Sequence, residues 1–165
     1  MGSVTDVHLS RSSPTTEGTL ACRPVRGPVE LAAHHEIRRA VFVAEQGLFP
    51  ADDRDEHDGD PATVHVLGLV HGAPAGTVRL YPLSDMLWKG DRLAVLPQHR
   101  RSHIGGPLVQ LAVALAGDRG GSRMDALVQA PNVRFFVHLG WSPVGEPADH
   151  LGVLHQRMTI PLARR

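Results

Sequence analysis

The sequence predicts a mixed α/β (α+β) fold: one central sheet with helices on both faces, in the order β-α-β-β-β-α-β-α-β-β. Three observations carry this. Apolar residues within 29–46 and 105–118 recur at helical spacing, whereas the other apolar runs are short and bounded by Gly and Pro. Residues 64–70 and 76–81 are separated only by His71-Gly72-Ala73-Pro74, the composition of a hairpin turn, so the middle of the chain is an antiparallel meander. The run Leu93-Ala94-Val95-Leu96 stops at Pro97, then leads through a basic turn into a helix and a further strand. Such a strand–helix–strand unit sets two parallel strands side by side, and helices flanking both sides of the sheet follow from the alternation.

Taken in order, Thr19 to Val25 is the first strand, broken by Gly27-Pro28. Pro28 suits a helix start, where a missing N–H loses nothing. Ala33, Ile37, Ala40, Val41 and Ala44 predict a helix over 29–46, ended by Gly47-Leu48-Phe49-Pro50. Residues 51–62 form an acidic loop, and the two meander strands follow. Residues 84–89 carry no clear pattern. Arg92 to Leu96 is the fourth strand. Leu108, Leu111, Ala112 and Leu115 fall at i, i+3, i+4 and i+7, one face of a helix over 105–118. Gly120-Gly121 stops it. Met124 to Gln129 is the next strand. Pro131 starts a short helix with Val133, Phe136 and Val137 on one face, ending near Gly140. Residues 141–145 and 154–161 are the last strands.

Composition narrows the function classes. The chain has 165 residues, with 17 basic and 17 acidic side chains. No basic excess points to nucleic acid or an anionic membrane. No apolar run approaches the roughly 20 residues of a spanning helix. Residues 1–18 are rich in Ser and Thr and lack an apolar signal core, so they are expected to be a disordered tail before a single domain over 19–165. Cys22 is the only cysteine, which excludes an internal disulfide, suits a cytoplasmic location and reads as core filler. The 11 histidines raise the question of a metal, but none falls at a metal-site spacing, and no metal is expected.

The most informative segment is 92–106. Its strand, basic turn and Gly105-Gly106 helix start combine unpaired N–H groups, a positive dipole end and the charges of Arg100 and Arg101. Taken alone, it is either an ordinary strand-to-helix turn with solvated arginines or a site for a ligand that carries a pyrophosphate. It is neither a Walker A loop nor a dinucleotide fingerprint, since the glycine spacing of both is absent.

The element order, together with two motifs, resembles the GNAT family of acetyl-coenzyme A-dependent N-acyltransferases. Arg100-Arg101-Ser102-His103-Ile104-Gly105 takes the register of that family's phosphate loop, Gln/Arg-x-x-Gly-x-Gly/Ala, with His103 in place of the first glycine. Asn132-Val133-Arg134-Phe135-Phe136-Val137-His138-Leu139-Gly140-Trp141 is similar to its Asn-x-x-x-x-Phe-Tyr-x-x-x-Gly-Phe element. The resemblance covers about residues 19–162. Further strings resemble the branch near acyl-homoserine lactone synthases and nitrilase-cluster acetyltransferases: Arg38 to Gln46, Asp53-x-Asp55-x-x-Asp58, Gly76 to Leu80, and Trp88-x-x-x-Arg92-Leu93-Ala94-Val95.

The resemblance implies acetyl-CoA as co-substrate and a small amine or amino-acid-like acceptor, with no metal and with a homodimer as one arrangement. It implies that Leu93, Ala94 and Val95 pair with the pantetheine arm. It implies that backbone N–H groups over Arg101, Ser102, His103, Ile104, Gly105 and Gly106, with Arg100 beside them, hold the pyrophosphate. Asn132 would contact the arm and Phe136 would pack near the thioester. Phe136 stands where the family commonly has a tyrosine acid, and the chain's one tyrosine is Tyr81. Glu45, at the end of the first helix, is the first candidate base, with His155 and Glu146 as alternatives, and His138 is a candidate for the missing acid. The run Asp52 to Asp60 is either a solvated loop or a gate that favours cationic amines. Arg79 either faces the acceptor or pairs with that loop. A longer acyl donor, and a coenzyme A-binding module without catalysis, are the alternatives to acetyl transfer.

Overall fold

The computed structural model describes residues 19–163; the tail expected over residues 1–18 lies outside them. The elements are β1 (Leu20–Pro24), α1 (Gly27–Arg38), β2 (Val64–Val70), β3 (Ala73–Pro82), β4 (Leu87–Val95), α2 (Gly105–Asp118), β5 (Arg123–Gln129), α3 (Val133–His138), β6 (Ser142–Pro143), β7 (Ala148–His150) and β8 (Val153–Pro161). The strands form one eight-stranded sheet in the order β1-β2-β3-β4-β5-β8-β6, with β7 also on β8. Only β4 and β5 pair in parallel, the two strands joined through α2. The expected meander is present over β2, β3 and β4.

Two consecutive residues of β2 explain how both faces are covered. Val66 and Leu67 are fully buried, yet they belong to separate cores. Val66 packs with Leu80, Leu108, Ala112 and Met158 beneath α2, whereas Leu67 packs with Ile37, Val41, Phe42 and Ala94 beneath α1. Neighbouring side chains on a strand point to opposite faces. The unbroken apolar run of β2 is therefore a strand buried on both sides. No helix among the described residues is long and apolar enough to cross a membrane.

The structure corrects several expected boundaries. The first helix starts at Gly27, and beyond Arg38 it widens into a π-helical segment over Arg39–Glu45. Consecutive Val41 and Phe42 are both buried there. Neighbours on an α-helix diverge by about 100°, and the wider winding accommodates both against the sheet. The β2–β3 turn is only His71-Gly72, both at positive φ, so β3 starts at Ala73. Pro74 is tolerated because β4 does not reach that far along β3. β4 begins at Leu87, five residues before the expected Arg92, because Lys89-Gly90-Asp91 hides its pattern. The expected strand over 141–145 shrinks to two residues, and β7 is an addition.

One irregularity positions the site. β4 and β5 pair from Leu87↔Arg123 to Gly90↔Ala126, and the pairing stops there. On its other edge, β4 slips against β3: Arg79 opposes Asp91, but Thr77 opposes Ala94. β4 thus carries an extra residue, and Arg92 adopts a φ of 52°. Such a bulge bends its strand. Beyond it, β4 parts from β5 and the sheet opens into a V.

Candidate active site

The V opens into a cleft of about 200 Å³. Lys89 to Leu93 of β4 and Ala126 to Gln129 of β5 line it. Phe42, Gln46, Leu48 and Phe49 form a wall from the end of the first helix, with His150, Leu151 and His155 contributed by the β7–β8 hairpin. Asn132, Phe136 and Trp141 come from α3 and its flanks. Gln129 Nε2 donates to Gln46 Oε1 at 3.0 Å, joining the end of β5 to the end of the first helix.

After β4, Pro97–Ser102 makes a 3₁₀ turn, and His103 sits in the left-handed region at φ 62°, ψ 27°. Ser102 organises this turn. Its hydroxyl donates to the His99 carbonyl at 2.5 Å and accepts from the Ile104 N–H at 3.3 Å. The Ile104 side chain is fully buried and anchors the start of α2. The N–H groups of Gly105 and Gly106 open that helix and have no acceptor within it. Nothing lies within 4 Å of where a Cβ on Gly106 would stand, so the helix end is open to a ligand. Arg101 is exposed. Arg100 is engaged elsewhere, donating to the Val95 carbonyl at 3.2 Å and to Glu45 at 2.5 Å.

The expected residues fall into distinct places. Leu93, Asn132 and Phe136 line the cleft, and Ala94 and Val95 continue β4 along the splay. Of the candidate catalytic residues Glu45, His138, His155 and Glu146, only His155 lines it. Glu45 is paired with Arg100, and His138 is exposed on α3. His155 is 7% exposed, and its Nδ1 lies 2.7 Å from the Val153 carbonyl. A carbonyl only accepts, so Nδ1 donates, and in the neutral ring Nε2 is left as the acceptor. Sequence reasoning missed Lys89, Gln46 and Phe49. Trp141 is buried against Phe136 at 5.3 Å between ring centroids, and its indole Nε1–H has no partner among the described residues.

The acidic loop is divided: Asp52, Glu56 and Asp60 are exposed, but the other three aspartates are not free. Asp53, Asp55 and Asp58 instead bind three arginines. Arg38 donates to Asp53 and Asp58 at 2.7 Å each. Arg79 holds Asp55 at 2.6 Å and Asp91 at 2.7 Å, which settles its pairing with the loop. Arg92 donates to Asp53 at 3.0 Å and stacks over Phe49. The Arg38 and Arg79 side chains are fully buried. Burial alone would raise the Asp58 carboxyl, but the Arg38 guanidinium and the Asp55 N–H outweigh it and hold it well below the usual carboxylate range. Beside this network, burial and the Arg38 charge push His34 down to about 3, and burial foremost pushes His35 down to about 4.

Comparison with known proteins places this geometry. The family model described as the acetyltransferase (GNAT) family matches residues 31–141. A Bacillus subtilis (strain 168) protein named as an acetyltransferase is 30% identical over 133 residues, 79% of this chain and 88% of its own. Among solved structures, Escherichia coli ElaA superposes with a TM-score of 0.73 at 22% identity, covering 85% of this chain and 97% of that one. The CoA-dependent acyl-homoserine lactone synthase BjaI superposes at 0.69 and 22%, covering 81% and 76%. The splayed parallel strands, the open helix end beside them and the sequence match over most of the domain agree: this chain is an acyltransferase that belongs to the acetyltransferase (GNAT) family.

Proposed function

We propose that the chain transfers an acetyl group from acetyl-CoA to a small amine by direct attack in a ternary complex. The observation that carries this is the continuity of the β4–β5 splay with the open start of α2. An extended pantetheine arm can take the place of the missing strand partner along Leu93, Ala94 and Val95. The pyrophosphate then meets the Gly105 and Gly106 N–H groups, where the helix dipole favours an anion. Asn132 and Phe136 flank the arm on the other side. The acceptor nitrogen attacks the thioester carbonyl carbon, the C–S bond breaks, and the thiolate leaves.

In this reading His155 Nε2 takes the proton of the attacking amine. The Trp141 indole N–H offers a donor at the apolar end of the cleft, where Phe136 has no hydroxyl. Positioning two reactants in one cleft supplies much of the rate, and a base of this kind adds roughly 10²–10⁴-fold. Glu45, held by Arg100, acts as a strut between the first helix and the phosphate loop. The test is acetyl-CoA-dependent thiol release with a panel of primary amines. Turnover with at least one amine is expected, and none across the panel would contradict the reading.

One observation favours a second reading, a longer acyl donor. The cleft passes through the splay to Val78, Val109, Ala112 and Met124, an apolar end that an acetyl group would not fill. Ranking acyl-CoAs by thermal shift separates the two, with the acetyl form predicted to stabilise at least as well as butyryl and hexanoyl forms.

A further inference from the structure

The chain has a single lysine, Lys89, and it stands in the wall of the cleft. All three arginines of the neighbouring network are held by aspartates. Lys89, in contrast, makes no ion pair and no side-chain hydrogen bond among the described residues. The groups that its register would offer are taken. Across β3 it faces Tyr81, whose hydroxyl donates to Asp91 at 3.3 Å. Across β5 it faces Asp125, which is bonded to Thr159 at 2.8 Å and Arg157 at 3.2 Å and paired with Arg123. The network holds four aspartates to three arginines, but each carboxylate already accepts from a guanidinium. Lys89, half-buried, therefore brings three unused donors and a positive charge into the cleft.

A charge left unpaired in such a place is unfavourable until an anion meets it. The coenzyme's pyrophosphate is a poor candidate. Lys89 lies six residues before Val95, roughly 20 Å along an extended strand from the phosphate turn. The acceptor end carries an apolar wall, Phe42, Leu48, Phe49, Leu127 and Leu151. Beside it stand the polar Gln46, Gln129, His150 and His155 and the ion-paired Asp91 and Arg92. We propose that Lys89, unpaired in the cleft beside this apolar wall, receives a carboxylate of the acceptor. The acceptor is then an amino-acid-like amine with an apolar side chain, rather than a cationic polyamine. This rests on the amine-acetylation reading above and assigns its acceptor class.

The test is thiol release from acetyl-CoA with L-leucine, L-methionine and L-phenylalanine, each against its own C-terminal amide. The amides keep the amine and side chain and lose only the negative charge. The free acids are expected to have the higher kcat/KM. Lys89→Met is expected to raise their KM roughly 10- to 100-fold, as losing a charged hydrogen bond does, and to bring the acid-to-amide ratio close to one. Lys89→Arg is expected to keep the preference. Calorimetry with coenzyme A and a thermal melt check that the variants remain folded and loaded. Equal use of acids and amides, preference for amides, an unchanged ratio in Lys89→Met, or an equal loss of coenzyme A affinity would each overturn the assignment. Turnover of amides alone overturns only this inference. Turnover of no amine, with coenzyme A still bound, overturns the amine-acetylation reading with it.

Discussion

At the scale of single residues, the cleft brings Leu93, Asn132, Phe136, His155 and Lys89 to one place. His155 has its Nδ1 committed to the Val153 carbonyl, and its Nε2 has no hydrogen-bond partner among the described residues. His155→Gln is expected to lower kcat by roughly 10²–10⁴-fold, the range of a general base, with coenzyme A affinity unchanged by calorimetry; an unchanged kcat would remove it from the reaction. Leu93, Asn132 and Phe136 were legible because two local motifs set them in register with a strand end and a short helix. Glu45 lies at the end of the π-helical segment and pairs with Arg100 instead of lining the cleft, a contact between residues remote in sequence that its position at the helix end could not reveal. Lys89 carried a signal, as the chain's one lysine, but its lack of a partner depends on β3 and β5, which are remote in sequence.

At the scale of elements, the bulge in β4 and the left-handed turn after it do the positioning. His103 stands at φ 62° in a place that suits glycine. His103→Gly is expected to retain coenzyme A affinity. His103→Ile, β-branched, should weaken it about tenfold, since the left-handed conformation disfavours a side chain by roughly 1–2 kcal/mol; titration of both variants with coenzyme A checks this. α2 and β2 were legible in full because each carries its own periodicity or a closed apolar run. The first half of β4 and all of β7 were not. Lys89-Gly90-Asp91 and Ala148-Asp149-His150 have no strand pattern of their own, and they extend because neighbouring strands offer hydrogen bonds.

At the scale of the whole molecule, the buried arginine–aspartate network ties the loop over 52–60 to the first helix, β3 and β4. Arg79 bridges Asp55, Asp58 and Asp91 with no exposed surface. Arg79→Met leaves those partly buried carboxylates with one cation fewer and is expected to destabilise by about 3 kcal/mol, the low end for a broken buried pair, read as a lower midpoint in urea. The histidines beside the network set an acid limit. His34 is pushed from 6.5 to about 3 and His35 to about 4, so the unfolded chain binds more protons than the folded one within that window. Stability is therefore full above pH 6.5 and falls as pH drops toward 4. Asp58, held low by Arg38, adds a further loss at still lower pH. Urea midpoints at pH 7.5, 6 and 5 check this, and His34→Leu should flatten the slope.

We propose that the β4–β5 splay and the open start of α2 form a coenzyme A thioester site. The most direct test is a calorimetric titration of the full chain with acetyl-CoA. Saturable binding of one acetyl-CoA per chain is predicted. No binding at millimolar acetyl-CoA would contradict it.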